Sequence, residues 1–153
     1  MRVEELKAAY ELGQRNFARS HLAKADLHKA RLMDINLSEA YLFKAILSKT
    51  HLERAFFNQA ILYGANLHQA LLYRASLIEA DLENANLTNA MLNHANLHGA
   101  NLRHANLDHA HLVWTNLREA NLTNAKLDRA DLSGAKFCRT IMPDGSIRND
   151  HCL

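Results

Sequence analysis

Ten histidines are the side chains of this 153-residue protein best suited to chemistry. His94, His98, His104, His109 and His111 crowd one short stretch. Neutral imidazole is a common metal ligand, but a zinc site needs about four converging donors. Asp81 and Glu83 form a paired-carboxylate spacing. General acid–base work would require an apolar pocket to shift one of them. Cys138 could act as a nucleophile, but no histidine stands near it in sequence, and the serines are scattered. Whether any of these groups converge depends on the elements that carry them.

Those elements are written in a repeat. Every fifth residue from Phe17 to Phe137 is large and apolar: 25 positions, 22 of them Leu and three Phe (Phe17, Phe57, Phe137). The residue two places earlier is small, and Ala fills 20 of those 25 positions, the exceptions being Arg15, Ser20, Ile35, Thr50 and Thr115. Asn or Asp often stands directly before the Leu, as at Asp26, Asn86, Asn96, Asn101, Asn106, Asn121 and Asp131. The two positions after it are read as free to vary. This code explains the excess of Leu (26), Ala (24) and Asn (15).

Period five excludes the simple elements. In an α-helix five residues advance about 500°, so the leucines would spiral round the helix and leave no apolar face. In a plain strand an odd repeat sends alternate leucines to opposite faces. Both difficulties vanish if each pentapeptide carries its own bend. Four bends close a coil of 20 residues with Leu and Ala inside, and coils stack about 4.8 Å apart. Asn66, Asn86 and Asn106 are then expected to stack as an amide ladder. Only five Gly and one Pro are needed, because every bend belongs to the repeat.

Stretches such as Ala95-Asn96-Leu97-His98-Gly99 and Ala100-Asn101-Leu102 give the pattern A(D/N)LXX. The chain therefore resembles the pentapeptide-repeat family, and is similar to its cyanobacterial members. The resemblance implies an all-β fold, a right-handed quadrilateral parallel β-helix or solenoid. The expected organisation is a short N-terminal capping α-helix over residues 1–13, about six coils over residues 15–139, and a cap or tail over residues 140–153. Val3 to Leu12 supply the helix, with Leu6, Ala9 and Tyr10 on one side and Gly13 as its stop. Pro143-Asp144-Gly145 reads as a turn, after which Ile147 and Leu153 could fold back over the last coil.

On such a rod the histidines fall on different faces, and a tube filled by Leu and Ala has no cleft. No catalytic residue, cofactor or metal is expected. With 18 Lys+Arg against 16 Asp+Glu the net charge is +2. Residues 1–54 hold ten basic and seven acidic side chains. Lys24/Lys44 and Lys29/Lys49 stack as a small basic group, read as a solvated face. Some members of the family resemble B-form DNA and act on DNA gyrase. That role as a gyrase or topoisomerase modulator demands strong negative charge, and the near-neutral charge disfavours it. Nucleic acid is not the expected partner, and no run of about 18 apolar residues could span a membrane.

The position before Leu departs from pattern between residues 41 and 71: Tyr41, Ile46, His51, Phe56, Ile61, Asn66, Leu71. With Phe43, Tyr63 and Tyr73 it offers apolar side chains where water is expected. Contiguous apolar surface marks a partner site. The candidate partner surface is Tyr41, Phe43, Ile46, Phe56, Ile61, Tyr63, Leu71 and Tyr73, and Tyr41, Phe43, Ile61 and Tyr63 should form one block. Arg74, His94 and Trp114, spaced by 20, form a candidate cation–π column. The function expected is a non-enzymatic protein-interaction or scaffold module for an unidentified protein partner. A capped monomer is expected in preference to an end-to-end homodimer. The start of the chain has no secretory pattern, so the expected location is cytoplasmic. Cys138 and Cys152 are then expected to stay reduced.

Overall fold

The computed structural model describes residues 1–152. Its unit is a turn. After each central Leu or Phe the chain bends, and the N–H three residues on donates back to the central carbonyl, as Ala25 does to Leu22 (3.1 Å) and Ala95 to Leu92 (2.9 Å). The second residue of the bend takes positive φ: 57° at Lys24, 61° at His94, 59° at Trp114. Positive φ at that place belongs to the type II class of turn. The two residues after Leu are therefore not equally free. The first admits Ile78, Thr88, Val113 and Thr123, whereas the second is never β-branched in any of the 25 repeats. A branched Cβ in the left-handed region clashes with its own backbone.

The residue before each central position forms a parallel bridge with its counterpart 20 residues on. Four series of bridges make four sides. The first holds His21, Tyr41, Ile61, Asp81, Asn101, Asn121 and Ile141, and the second Asp26, Ile46, Asn66, Asn86, Asn106 and Lys126. The third holds Arg31, His51, Leu71, Met91, His111 and Asp131, and the fourth Asn16, Asn36, Phe56, Ser76, Asn96, Asn116 and Lys136. Backbone bonds run between layers, such as Leu27 N–H to Ile46 O (2.8 Å) and Ile46 N–H to Ala25 O (2.9 Å). Bridges from Asn16 to Ile141 give about six coils, a stack roughly 30 Å long.

The interior is filled by the Leu/Phe series and the small residues facing it, from Phe17 to Phe137. Three small-residue slots hold threonine without loss. The hydroxyls of Thr50, Thr115 and Thr140 donate to the carbonyls of Leu27, Leu92 and Leu117 at 2.8, 2.8 and 2.7 Å. A buried hydroxyl is tolerated when it finds an acceptor.

The asparagines do not form the ladder expected of them. The Oδ1 atoms of Asn66, Asn86 and Asn106 accept the N–H two residues on, from His68 (3.1 Å), Thr88 (3.1 Å) and Asp108 (3.0 Å). That local bond satisfies a turn N–H, and it occupies the oxygen alone: Asn116 accepts the Arg118 N–H and still donates to Asn96 on the coil before. Among the described residues, amide bonds between coils join Asn36 to Asn16 (3.3 Å), Asn116 to Asn96 (3.0 Å) and Asn101 to Asp81 (3.0 Å).

Helix α1, Val3–Glu11, lies on the first coil. Glu5 accepts from the Arg2 N–H and guanidinium at its start. Leu6 is buried in the core, and Tyr10 Oη donates to the Met33 carbonyl at 2.8 Å. The terminal amine reaches the His21 carbonyl at 3.3 Å. Those groups occupy carbonyls that have no coil below them.

At the other end β1, Thr140–Ile141, pairs antiparallel with β2, Ile147–Arg148. The chain reverses between them and runs back over the last coil. Asn149 Oδ1 and His151 Nδ1 accept the N–H groups of Arg139 (2.8 Å) and Phe137 (3.2 Å). This reversal overturns the expectation of free thiols. It sets Cys152 beside Cys138 with their Cα atoms 4.9 Å apart, and the two form a disulfide. Ile147 stays 62% exposed and does not cover the core. Leu153 lies outside the described residues. Among the described residues no helix is long and apolar enough to cross a membrane.

Candidate functional site

The eight apolar candidates do not make one surface. Tyr41 and Ile61 stand on the first side, Ile46 on the second, Leu71 on the third and Phe56 on the fourth. Residues close in sequence wrap the rod, because 20 residues make a full circuit. The block on the first side is real. Tyr41 and Phe43 stack with ring centroids 6.1 Å apart, and Phe43 and Tyr63 at 5.7 Å, with interplanar angles of 6° and 11°. His21 extends it, 5.6 Å from Tyr41. Tyr41 and Ile61 remain 36% and 40% exposed, and Ile46 38%, values an apolar side chain keeps only on open surface. Tyr63 Oη accepts from Asn84 Nδ2 at 3.0 Å, which fixes its ring. Tyr73 is half-buried on the third-side corner, away from this block, and Phe56 stands alone at 46% exposure.

Arg74, His94 and Trp114 do occupy successive layers of one corner: the Arg74 and His94 N–H groups bond the carbonyls of Asn93 and Val113. The cation–π column is not formed. Trp114 turns its indole the other way, over Gly134, where no side chain obstructs it. Among the described residues no cation stands over that ring.

Two hydroxyl–imidazole pairs escaped sequence reading because their partners are 20 apart. His28 Nδ1 lies 2.8 Å from Ser48 Oγ, and His68 Nδ1 lies 2.7 Å from Thr88 Oγ1. The distances suit a nucleophile and its base. The settings do not: Ser48 is buried, and the Thr88 hydroxyl is spent on Asn86 Oδ1 at 2.8 Å. His51 Nδ1 and Glu53 Oε1 approach to 3.3 Å, both half-buried on the third side. Among the described residues no cluster of three His, Cys, Asp or Glu is placed to hold a metal. A groove of about 330 Å³ lies between α1 and the first coil, lined by Lys7, Tyr10, Glu11, Ala30, Arg31 and Leu32.

Charge is arranged in columns. Arg19 pairs with Glu39 (2.9 Å), Arg54 with Asp34 (2.7 Å), Arg103 with Glu83 (2.7 Å), and Arg139 with Glu119, each one coil apart. The bond from Arg54 holds the Asp34 carboxyl below its usual range. Arg103, and after it Asn101, does the same for Glu83. Lys24, Lys29, Lys44 and Lys49 have no such partner among the described residues, and all four are exposed.

A family model described as pentapeptide repeats matches eight copies over residues 35–72, 70–108 and 105–142. No protein of the curated set matches the sequence. Among solved structures, a trypsin-treated form of QnrB1, a plasmid-mediated fluoroquinolone resistance protein, superposes with a TM-score of 0.75 at 19% identity, over 80% of this chain. At that identity the likeness is one of fold, and this chain spans 62% of that chain's length. HetL, a pentapeptide repeat protein involved in heterocyst differentiation regulation from the cyanobacterium Nostoc sp. strain PCC 7120, is 29% identical over 97% of this chain and 100% of that one, with a TM-score of 0.41. Rfr23 from the cyanobacterium Cyanothece 51142 is 25% identical over 88% of this chain and 95% of that one, with a TM-score of 0.42.

Proposed function

Because this chain belongs to the pentapeptide-repeat family, we propose that it is a non-enzymatic docking rod, a right-handed quadrilateral β-helix that binds a protein partner through its first side. The observation that carries this reading is the stacked block of Tyr41, Phe43 and Tyr63 with Ile61 beside it. Solvent-facing positions elsewhere are mostly Asn, Asp or charged, whereas here exposed Tyr41 and Ile61 flank the half-buried, stacked rings of Phe43 and Tyr63. Aromatic anchors of this kind dominate protein–protein contacts. The Ser48 hydroxyl is buried and the Thr88 hydroxyl already bonded, which supports binding over catalysis. In this reading α1 serves as an N-terminal cap and the disulfide-tied tail as a C-terminal one, and the rod acts as a capped monomer.

Gyrase modulation by DNA mimicry is the weaker reading. A mimic needs rows of unpaired carboxylates at phosphate-like density, whereas Asp34, Glu39, Glu83 and Glu119 are each neutralised by an arginine one coil away. Inhibition or protection of gyrase in a supercoiling assay at micromolar protein would reverse this ranking. The docking reading is tested by changing Tyr41, Phe43, Ile61 and Tyr63 together to Ser. The variant should keep its fold by circular dichroism and lose partner capture. Undiminished capture by a folded variant rejects the reading.

A further inference from the structure

We infer that the partner docks through an acidic segment carrying apolar or aromatic anchors, held between the aromatic block and four exposed lysines on the neighbouring side that have no carboxylate partner among the described residues. The inference rests on the docking reading and adds the partner's chemistry.

The second side runs between two corners. One corner carries Lys24 and Lys44, the other Lys29 and Lys49, in the same two layers. Ile46 stands between them on the flat of the side, exposed. Tyr41 and Phe43 lie across the first corner, and Lys44 Nζ sits 5.3 Å from the centre of the Phe43 ring. Aromatic block and lysine frame are therefore continuous, joined by the Phe43–Lys44 turn.

All four lysines occupy the second place of their turns, with φ between 52° and 58°. Their backbone directions are fixed outward and repeat from layer to layer, about 4.8 Å apart. Each has a lysine one coil away at the same place in its own column. Elsewhere on the rod the same position is paired with an opposite charge, as in Arg19–Glu39 and Arg54–Asp34. Asp26 on the same side forms no ion pair with these lysines among the described residues, and its Oδ1 takes the His28 N–H at 3.0 Å. The layers above carry Gly64 and Gln69 at the same corners, so the frame ends there.

Complementarity then defines the occupant. Four cations around one apolar side chain, beside three stacked rings, match carboxylates spaced around an apolar residue. Opposite charge steers approach and fixes register, while the rings and Ile46 supply buried area. A nucleic acid fits less well. Four cations fall short of a backbone-tracking footprint, and Ile46 and Ile61 offer nothing to phosphates.

The test uses the intact protein and polymers of defined composition, read by fluorescence anisotropy. The probes are a Glu/Tyr copolymer, polyglutamate and a single-stranded DNA oligonucleotide, with vesicles containing phosphatidylserine as a fourth arm. The Glu/Tyr copolymer should bind about tenfold tighter than polyglutamate and lose about tenfold or more when Lys24, Lys29, Lys44 and Lys49 are all changed to Gln. Raising the salt to about 0.3 M should weaken it further. The Gln variant alters no buried residue, and its melting curve checks that it folds. Preference for DNA or vesicles, equal binding of the two polymers, or copolymer affinity unchanged in the folded Gln variant would overturn the inference. If the lysine variant keeps natural partner capture while the four-Ser variant loses it, the docking reading stands and the acidic-segment inference falls. If both keep it, both fall.

Discussion

The indole of Trp114 lies over the Cα of Gly134, one coil further along the same corner. A Cβ at Gly134 would sit 2.7 Å from two of its ring carbons, and φ there is +69°. Glycine at that place leaves room for the only tryptophan in the chain.

Gly134→Ala should therefore displace the Trp114 ring. Because Trp114 is surface-mounted, at 57% exposure, the ring can swing away. The expected outcome is a shift of tryptophan emission with a loss of stability near 1 kcal/mol, mostly from the positive φ. An unchanged emission spectrum would contradict the contact.

The narrow interior predicts a sharp asymmetry between inward and outward positions. Ala100 is fully buried, whereas His98 lies at a bend and is half-buried. Ala100→Leu should cost about 1–3 kcal/mol or more through overpacking, and His98→Leu far less. Thermal melts showing equal losses would count against a filled tube.

The turn geometry predicts a second asymmetry between adjacent exposed residues. Lys24 has φ 57° and Ala23 does not share the left-handed region. Lys24→Val should destabilise by about 1–3 kcal/mol, while Ala23→Val stays close to the parent. Chemical denaturation of the two variants compares them directly.

Glu83 gives a pH signature. Arg103 and Asn101 hold its folded pKa below the unfolded value, so the unfolded chain binds the proton more readily. Its contribution is present above the unfolded pKa and disappears as pH falls through the lowered folded one. The stability gap between wild type and Glu83→Gln should be full at neutral pH and close in acid. A gap independent of pH would show that the pair does not couple to folding.

Much of the fold was legible because the code is strictly local and periodic: Leu97 and Ala95 look alike in every coil. The second turn position was misread because its rule is negative, the absence of Val, Ile and Thr. The ladder expected at Asn66, Asn86 and Asn106 is absent, their oxygens serving local turn N–H groups, while Asn116 and Asn96 on the fourth side do pair between coils. The disulfide was missed although the turn at Pro143-Asp144-Gly145 was read, because the expectation of free thiols rested on location and not on the geometry that sets Cys152 beside Cys138. For the site, spacing by 20 correctly joined Tyr41 to Ile61 and Phe43 to Tyr63. Proximity in sequence wrongly joined them to Phe56 and Leu71, since neighbours along the chain turn corners. The lysine frame was visible as two pairs, but its lack of counter-charge needed the arginine pairs beside it for contrast.

One side of the rod, and not its general stickiness, is proposed to bind the partner. Partner capture should be compared for wild type, for the variant with Tyr41, Phe43, Ile61 and Tyr63 all changed to Ser, and for Phe56→Ser on the fourth side. Capture should be lost in the first-side variant alone, with all three proteins folded. Equal capture by all three, or loss with Phe56→Ser, would contradict it.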